Sequence, residues 1–223
     1  MLKKDKAAGG TIFCMFFAYA VIFVSMFFSY YTFYKSSMIA LKENVNNSMK
    51  EANLAAMTID LDSYSYSYDY DAQEFKVSPY LIDTSEANSI YVETISSNLN
   101  LERDADGTYV PIEGTRWTSF VSSVEILDFV LLDAVYVDSS ELQITARDTN
   151  GWRELVYNYD TGFYELGGTV PAPMYCSAGE FKTPDGTIVE SPSVYSQIQL
   201  NITSGVLGNH EYIRHNTTSI VTK

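Results

Sequence analysis

Basic charge is scarce in this chain, and histidine and cysteine are scarcer still. Fourteen lysines and arginines face 28 aspartates and glutamates across 223 residues, a formal charge of -14. A surface so acidic repels phosphate, which excludes nucleic acid as a partner and opposes adsorption to an anionic lipid leaflet. The two cysteines, Cys14 and Cys176, fall in an apolar run and far downstream of it, so no disulfide is expected between them. Cys176 reads as a buried thiol, and as a nucleophile it lacks a basic neighbour in sequence. The two histidines, His210 and His215, lie five apart in a strand-like segment, where they face opposite sides and make a poor metal pair. No GxSxG, HExxH, P-loop or dinucleotide fingerprint occurs, so neither an enzyme nor a cofactor is expected. Sortase and lipid-attachment motifs are missing too.

Charge is also missing locally, and there the absence is informative. Thr11 to Tyr34 reads TIFCMFFAYAVIFVSMFFSYYTFY, without one ionisable acid or base of the Asp, Glu, Lys or Arg type. As a helix it spans roughly 36 Å, enough for a hydrocarbon core of about 30 Å. Lys3, Lys4 and Lys6 precede it and Lys35 alone follows closely, which predicts a cytoplasmic N-terminus and an outer C-terminal domain. Tyr30, Tyr31 and Tyr34 cluster where an aromatic belt belongs. A signal-peptidase cut at Ala18-Tyr19-Ala20 would leave about seven apolar residues before the site, short for a cleaved signal.

Neither proline nor glycine interrupts the chain from Thr11 to Asp60. Beyond the apolar run, Met38, Leu41, Val45, Met49, Ala52, Ala56 and Ile59 recur at gaps of three and four, a single stripe on a helix. One helix of about 49 residues, roughly 74 Å, is therefore expected. Its stripe packs on its own domain or on neighbouring copies.

The remainder is expected to be α+β, mainly an antiparallel sheet. Asp62–Asp71 (DSYSYSYDYD) alternates as an edge strand with an aromatic face, or else is a flexible linker. Tyr64, Tyr66, Tyr68 and Tyr70 are its candidate binding residues, for a sugar or a protein surface. Thr84–Asn98 reads as a helix capped by Thr84 or Ser85. Strands are expected at 124–137, 141–147, 153–159, 163–166, 180–183, 187–190, 194–203 and 211–221, with hairpin turns at Asn150-Gly151, Asp160-Thr161-Gly162 and Asp185-Gly186. Glu102–Glu113 (ERDADGTYVPIE) has the acid and glycine spacing of a calcium loop, against a plainer reading as a surface turn on Asp106-Gly107. Asn46, Asn201 and Asn216 open N-x-S/T sequons at a frequency near chance.

The N-terminal layout resembles type IV pilins and TadE-like pseudopilins: the basic leader KKDKAAGG, a glycine, an uncharged helix and an amphipathic continuation carrying a domain. The alanine-rich Glu51–Met57 is similar to the end of a TadE-type helix, and Pro192–Val221 resembles the tails of TadE-like proteins of Gram-positive bacteria. The resemblance implies a prepilin-type cut between Gly10 and Thr11, apolar helices packed in a filament, and other pilin-like subunits and prepilin peptidase as partners besides membrane lipid. It divides the chain into a leader (1–10), a transmembrane helix (11–34), its continuation (35–60) and an extracytoplasmic domain (61–223). Where the family carries glutamate, at the fifth residue after the cut, this chain has Met15. That departure favours a minor subunit over a filament-building one; the alternative is a signal-anchored binding or sensor domain outside any filament.

Overall fold

The computed structural model describes residues 2–57, 59–69, 74–81, 83–115, 117–167, 173–204 and 208–220, with 2–9, 59–69, 74–80 and 204 described by backbone alone. The architecture is α+β: a long N-terminal apolar helix followed by a mostly antiparallel sheet domain. The chain forms two compact units, residues 1–44 and 45–223.

The first unit is helical, part of α1 (Leu2–Ala56). Over residues 12–33 its large apolar side chains lie on every face of the helix and stay uncovered, Phe13, Phe16, Phe23 and Phe33 among them. A helix apolar all round belongs in an apolar medium. Even its hydroxyl at Thr32 is turned back on the backbone, donating to the Phe28 carbonyl at 2.8 Å. Among the described residues this helix is long and apolar enough to cross a membrane.

In the second unit the last turns of α1 behave differently. Val45, Met49, Ala52 and Ala56 are each fully buried in the domain, so over this part the stripe packs on its own chain. The helix stops at Ala56, not Asp60 as the periodicity predicts, and strand β1 (Ile59–Asp69) begins three residues on. Ile59 satisfies both periods, and its pairing with Leu81 decides for the strand. β1 and β2 (Glu74–Leu81) form a separate antiparallel hairpin, so the tyrosine run is strand rather than linker. α2 (Thr84–Leu99) buries Ala87, Tyr91, Ile95 and Leu99 along one face. Its cap is Asp83 rather than Thr84 or Ser85: the carboxylate accepts the Ser85 and Glu86 N–H groups at 2.8 and 3.4 Å. Asn100 ends it in the left-handed region at φ 51°.

The remaining strands are β3 (Leu101–Arg103), β4 (Tyr109–Pro111), β5 (Val121–Tyr136), β6 (Glu141–Asp148), β7 (Gly151–Trp152), β8 (Leu155–Asn158), β9 (Phe163–Leu166), β10 (Met174–Ser177), β11 (Ser193–Ser204) and β12 (Gly208–Ser219). The main sheet runs β10-β6-β5-β11-β12, with β3–β4 added at β5 and β7 at β6, while β8–β9 stand as a hairpin of their own. The expected segments 180–183 and 187–190 make single bridges, Lys182 to Ile188 and Tyr164 to Phe181, rather than strands. One face of the sheet packs Phe129 against Tyr91 of α2, ring centroids 5.0 Å apart. The opposite face builds the core from Val130, Leu132, Ile144, Leu155, Phe181 and Tyr195. Burial of each such side chain is worth about 1.5–3 kcal/mol.

Candidate functional site

β5, β11 and β12 lie side by side in a register that sets Asp128, Gln197 and His215 in one row. The neighbouring row contains Val130, Tyr195 and Thr217. Here the core face of the sheet becomes polar. Tyr195 is buried in the core, yet its hydroxyl reaches back to the polar row, 2.8 Å from His215 Nδ1 and 3.3 Å from Gln197 Oε1. Arg153 follows β7 and donates to Asp128 at 3.0 Å and to Asp148 at 3.1 Å.

Burial sets the electrostatics. It raises the Asp128 carboxyl above the usual range; the Arg153 guanidinium and the Phe129 N–H act against it, and the Asp148 carboxylate adds to it. Burial also raises the Tyr195 phenol, helped by the carboxylates of Asp128 and Asp185. That hydroxyl is therefore a proton-bearing donor throughout the neutral range. Asp185 goes the other way. Burial acts to raise it, but hydrogen bonds from Thr183, Thr187 and Thr217 hold its carboxyl below the ordinary value. Its two oxygens accept the Thr183 hydroxyl at 2.6 Å, the Thr217 hydroxyl at 2.9 Å and the Thr217 N–H at 2.7 Å. The row thus presents paired charges and fixed donors, an arrangement suited to polar contact.

A second polar device holds the tyrosine hairpin. Asp133, buried in β5, accepts the Leu81 N–H at 2.6 Å, and Arg147 of β6 donates to the Leu81 carbonyl and to Asp133. Acid and base together grip both backbone groups of one residue, as a neighbouring strand would. Burial pushes Asp133 up against the pull of the Leu81 N–H and of Arg147.

The residues singled out from sequence are dispersed. Tyr64, Tyr66 and Tyr68 lie in β1, with Tyr66 opposite Val77 and Tyr68 opposite Phe75; their side chains, and Tyr70 altogether, lie outside the described residues. Gly10 and Thr11 sit within α1, Gly10 with open space where a Cβ would be. Glu102–Glu113 folds as the β3–β4 hairpin rather than a loop entering a helix. Its acids serve the turn itself: Asp104 accepts the Ala105 N–H, and Asp106 accepts the Thr108 hydroxyl and N–H, which lower its carboxyl below the usual range. Among the described residues no group of three His, Cys, Asp or Glu side chains is placed to hold a metal ion. Cys176 is a free, buried thiol pushed up to about 11 by burial and by the carboxylates of Glu180 and Glu141. It is protonated at neutral pH and is not a nucleophile there.

All three sequon asparagines are engaged. Asn201 donates to Ser123 and Glu125, Asn46 accepts from Arg214, and Asn216 accepts from Asn53. A glycan on Asn201 Nδ2 would replace one of the two N–H groups that these bonds use.

Sequence reasoning missed the Asp128–Arg153 and Tyr195–His215 contacts, whose partners are 25 and 20 residues apart. A usable signal was present: Asp128 and Asp133 interrupt an otherwise apolar stretch of β5, and a carboxylate in such a strand requires a partner. No protein-family model, curated protein or solved structure matches this chain.

Proposed function

We propose that this is a membrane-anchored, pilin-like subunit of the TadE-like kind, a minor component of a bacterial surface pilus or secretion apparatus that acts by assembly or adhesion rather than catalysis. The N-terminus is cytoplasmic, the sheet domain lies outside, and prepilin peptidase cuts between Gly10 and Thr11. The observation that carries the reading is the division of α1. Its first part is apolar all round and uncovered, while Val45–Ala56 is built into the sheet domain. A subunit joined to others through its N-terminal helix requires both properties in one rod: a free apolar surface to embed, and a rigid union with the part displayed outside. The polar row of Asp128, Gln197 and His215 supplies a contact surface on the displayed part.

The test is mass spectrometry of the N-terminus after co-expression with a prepilin peptidase. Processing yields a chain beginning at Thr11, and Gly10→Val abolishes it. An intact N-terminus beside a correctly processed control pilin overturns the reading. The uncovered apolar run serves equally in a second reading, a signal-anchored binding or sensor domain outside any filament. That protein keeps its leader and yields no crosslinks to neighbouring subunits in the membrane.

A further inference from the structure

The last turns of α1 lie along β12 and run in the same direction. Asn46 meets Arg214, and Asn53 meets Asn216 and Thr218. Seven residues of helix advance about 10 Å, and so do three residues of strand.

Apolar packing alone does not fix where along β12 the helix comes to rest. The buried positions in this part of α1 are Val45, Ser48, Met49, Ala52, Asn53 and Ala56. Slide the helix by four residues, so that each position takes the residue four before it. Met49 then takes the site of Asn53, Val45 that of Met49, Ser48 that of Ala52, and Ala52 that of Ala56. Leu41 takes that of Val45 and Asn44 that of Ser48, so every exchange keeps a small or apolar residue where one stood, or a polar one at Ser48, except at Asn53. Packing of this kind tolerates changes that conserve apolar character and approximate volume.

The asparagines break this degeneracy. Asn53 has no exposed surface, and its amide nitrogen lies 3.4 Å from the Val194 carbonyl, 3.2 Å from the Asn216 carbonyl and 3.0 Å from Asn216 Oδ1. It thus reads the backbone of two strands from one point. Two turns earlier, Asn46 Oδ1 accepts from Arg214 Nε at 3.1 Å and Nη2 at 2.6 Å. Any one-turn slip removes both sets of bonds together and leaves strand carbonyls beneath an apolar side chain. A single buried polar residue specifying the alignment of otherwise uniform apolar surfaces is well attested in coiled coils.

We propose that Asn46 and Asn53 form a register lock that selects one axial position of α1 on the β11–β12 pair. The lock acts whether or not the protein joins a filament.

Crosslinking reads the register directly. Glu51 of α1, exposed, accepts a hydrogen bond from the half-buried Asn98 of α2 at 2.9 Å. Asn47, Glu51 and Ala55 share one exposed face at four-residue spacing. In full-length protein carrying Cys14→Ser, a short thiol-reactive linker is expected to join Glu51→Cys to Asn98→Cys, and to leave Asn47→Cys/Asn98→Cys and Ala55→Cys/Asn98→Cys unjoined. Adding Asn46→Leu and Asn53→Leu raises the ratio of slipped to native crosslink by about two- to tenfold, the population change that follows from losing one ordinary hydrogen bond. If the leucine variant folds, by a cooperative thermal transition, and crosslinks only through position 51, the lock is refuted. Should the double variant not fold, Asn46→Leu alone, at the half-buried position, carries the same test with a smaller rise. Asparagines with a merely structural role would change the melting temperature without moving the crosslink.

Discussion

Residues 10–34 and 45–56 belong to one helix, yet they are helical for different reasons. In the first stretch the side chains are apolar on every side and none is covered. Nothing among the described residues packs on that stretch; its geometry suits a medium in which backbone groups find no partners except each other. In the second stretch the same geometry presents a narrow stripe to a sheet and fastens it with amides. Identical backbone therefore says little about what holds it, and substitutions of one kind should act oppositely in the two parts.

The largest effect is expected from Phe181→Ala. This ring is fully buried in the sheet core, and its loss costs about 3–5 kcal/mol. Thermal melting of the domain should fall steeply while the protein still sediments with membranes. Loss of membrane association with it would show that the two parts do not act separately.

Methionine offers the sharpest comparison. Met49→Ala, at a position with no exposed surface, is expected to destabilise the domain by about 2–5 kcal/mol. Met26→Ala removes the same atoms from an uncovered position and should leave the melting temperature where it was. Equal effects in denaturation curves would erase the distinction. The converse experiment places a charge in the apolar run. Val24→Asp costs about 2.5–3.5 kcal/mol of membrane insertion, so carbonate extraction should release the variant with its domain still folded.

A smaller effect concerns acid. Asp185 has a depressed carboxyl in the folded protein, so its contribution is complete above the ordinary carboxylate value of 3.8 and is lost as pH falls through the lower folded value. Asp128 and Asp133 are raised, and their contribution has the opposite sign: it is greatest in acid and declines as pH rises through their folded values. Asp185→Asn should cost about 0.5–1.5 kcal/mol at neutral pH, the range of an ordinary hydrogen bond, because the residue is exposed and water screens its charge. It should also flatten the loss of stability on acidification. An unchanged pH profile of the melting temperature would remove Asp185 from this role.

Much of the architecture was legible because it rests on local pattern. The apolar run, the stripe and the turns at Gly151, Gly162 and Gly186, all at positive φ, need no knowledge of distant residues. The helix end was misjudged because Ile59 fits a helical stripe and a strand equally well. β2 was missed because Pro79 and a lysine blunt its strand signal, and β10 because four residues give too little pattern to read. The polar row could not be assembled in advance. Asp128, Gln197 and His215 become neighbours only through the order β5-β11-β12, and strand order is a property of the whole sheet.

That order leaves β12 outermost among the described strands, where a strand can recruit another chain and begin a fibre. Asp185 meets this hazard at one point: by occupying the Thr217 N–H it removes one donor from the row that an incoming segment would copy. The carboxylate works as a stop signal against templated growth, supplied by a loop 32 residues away and costing the strand none of its own length.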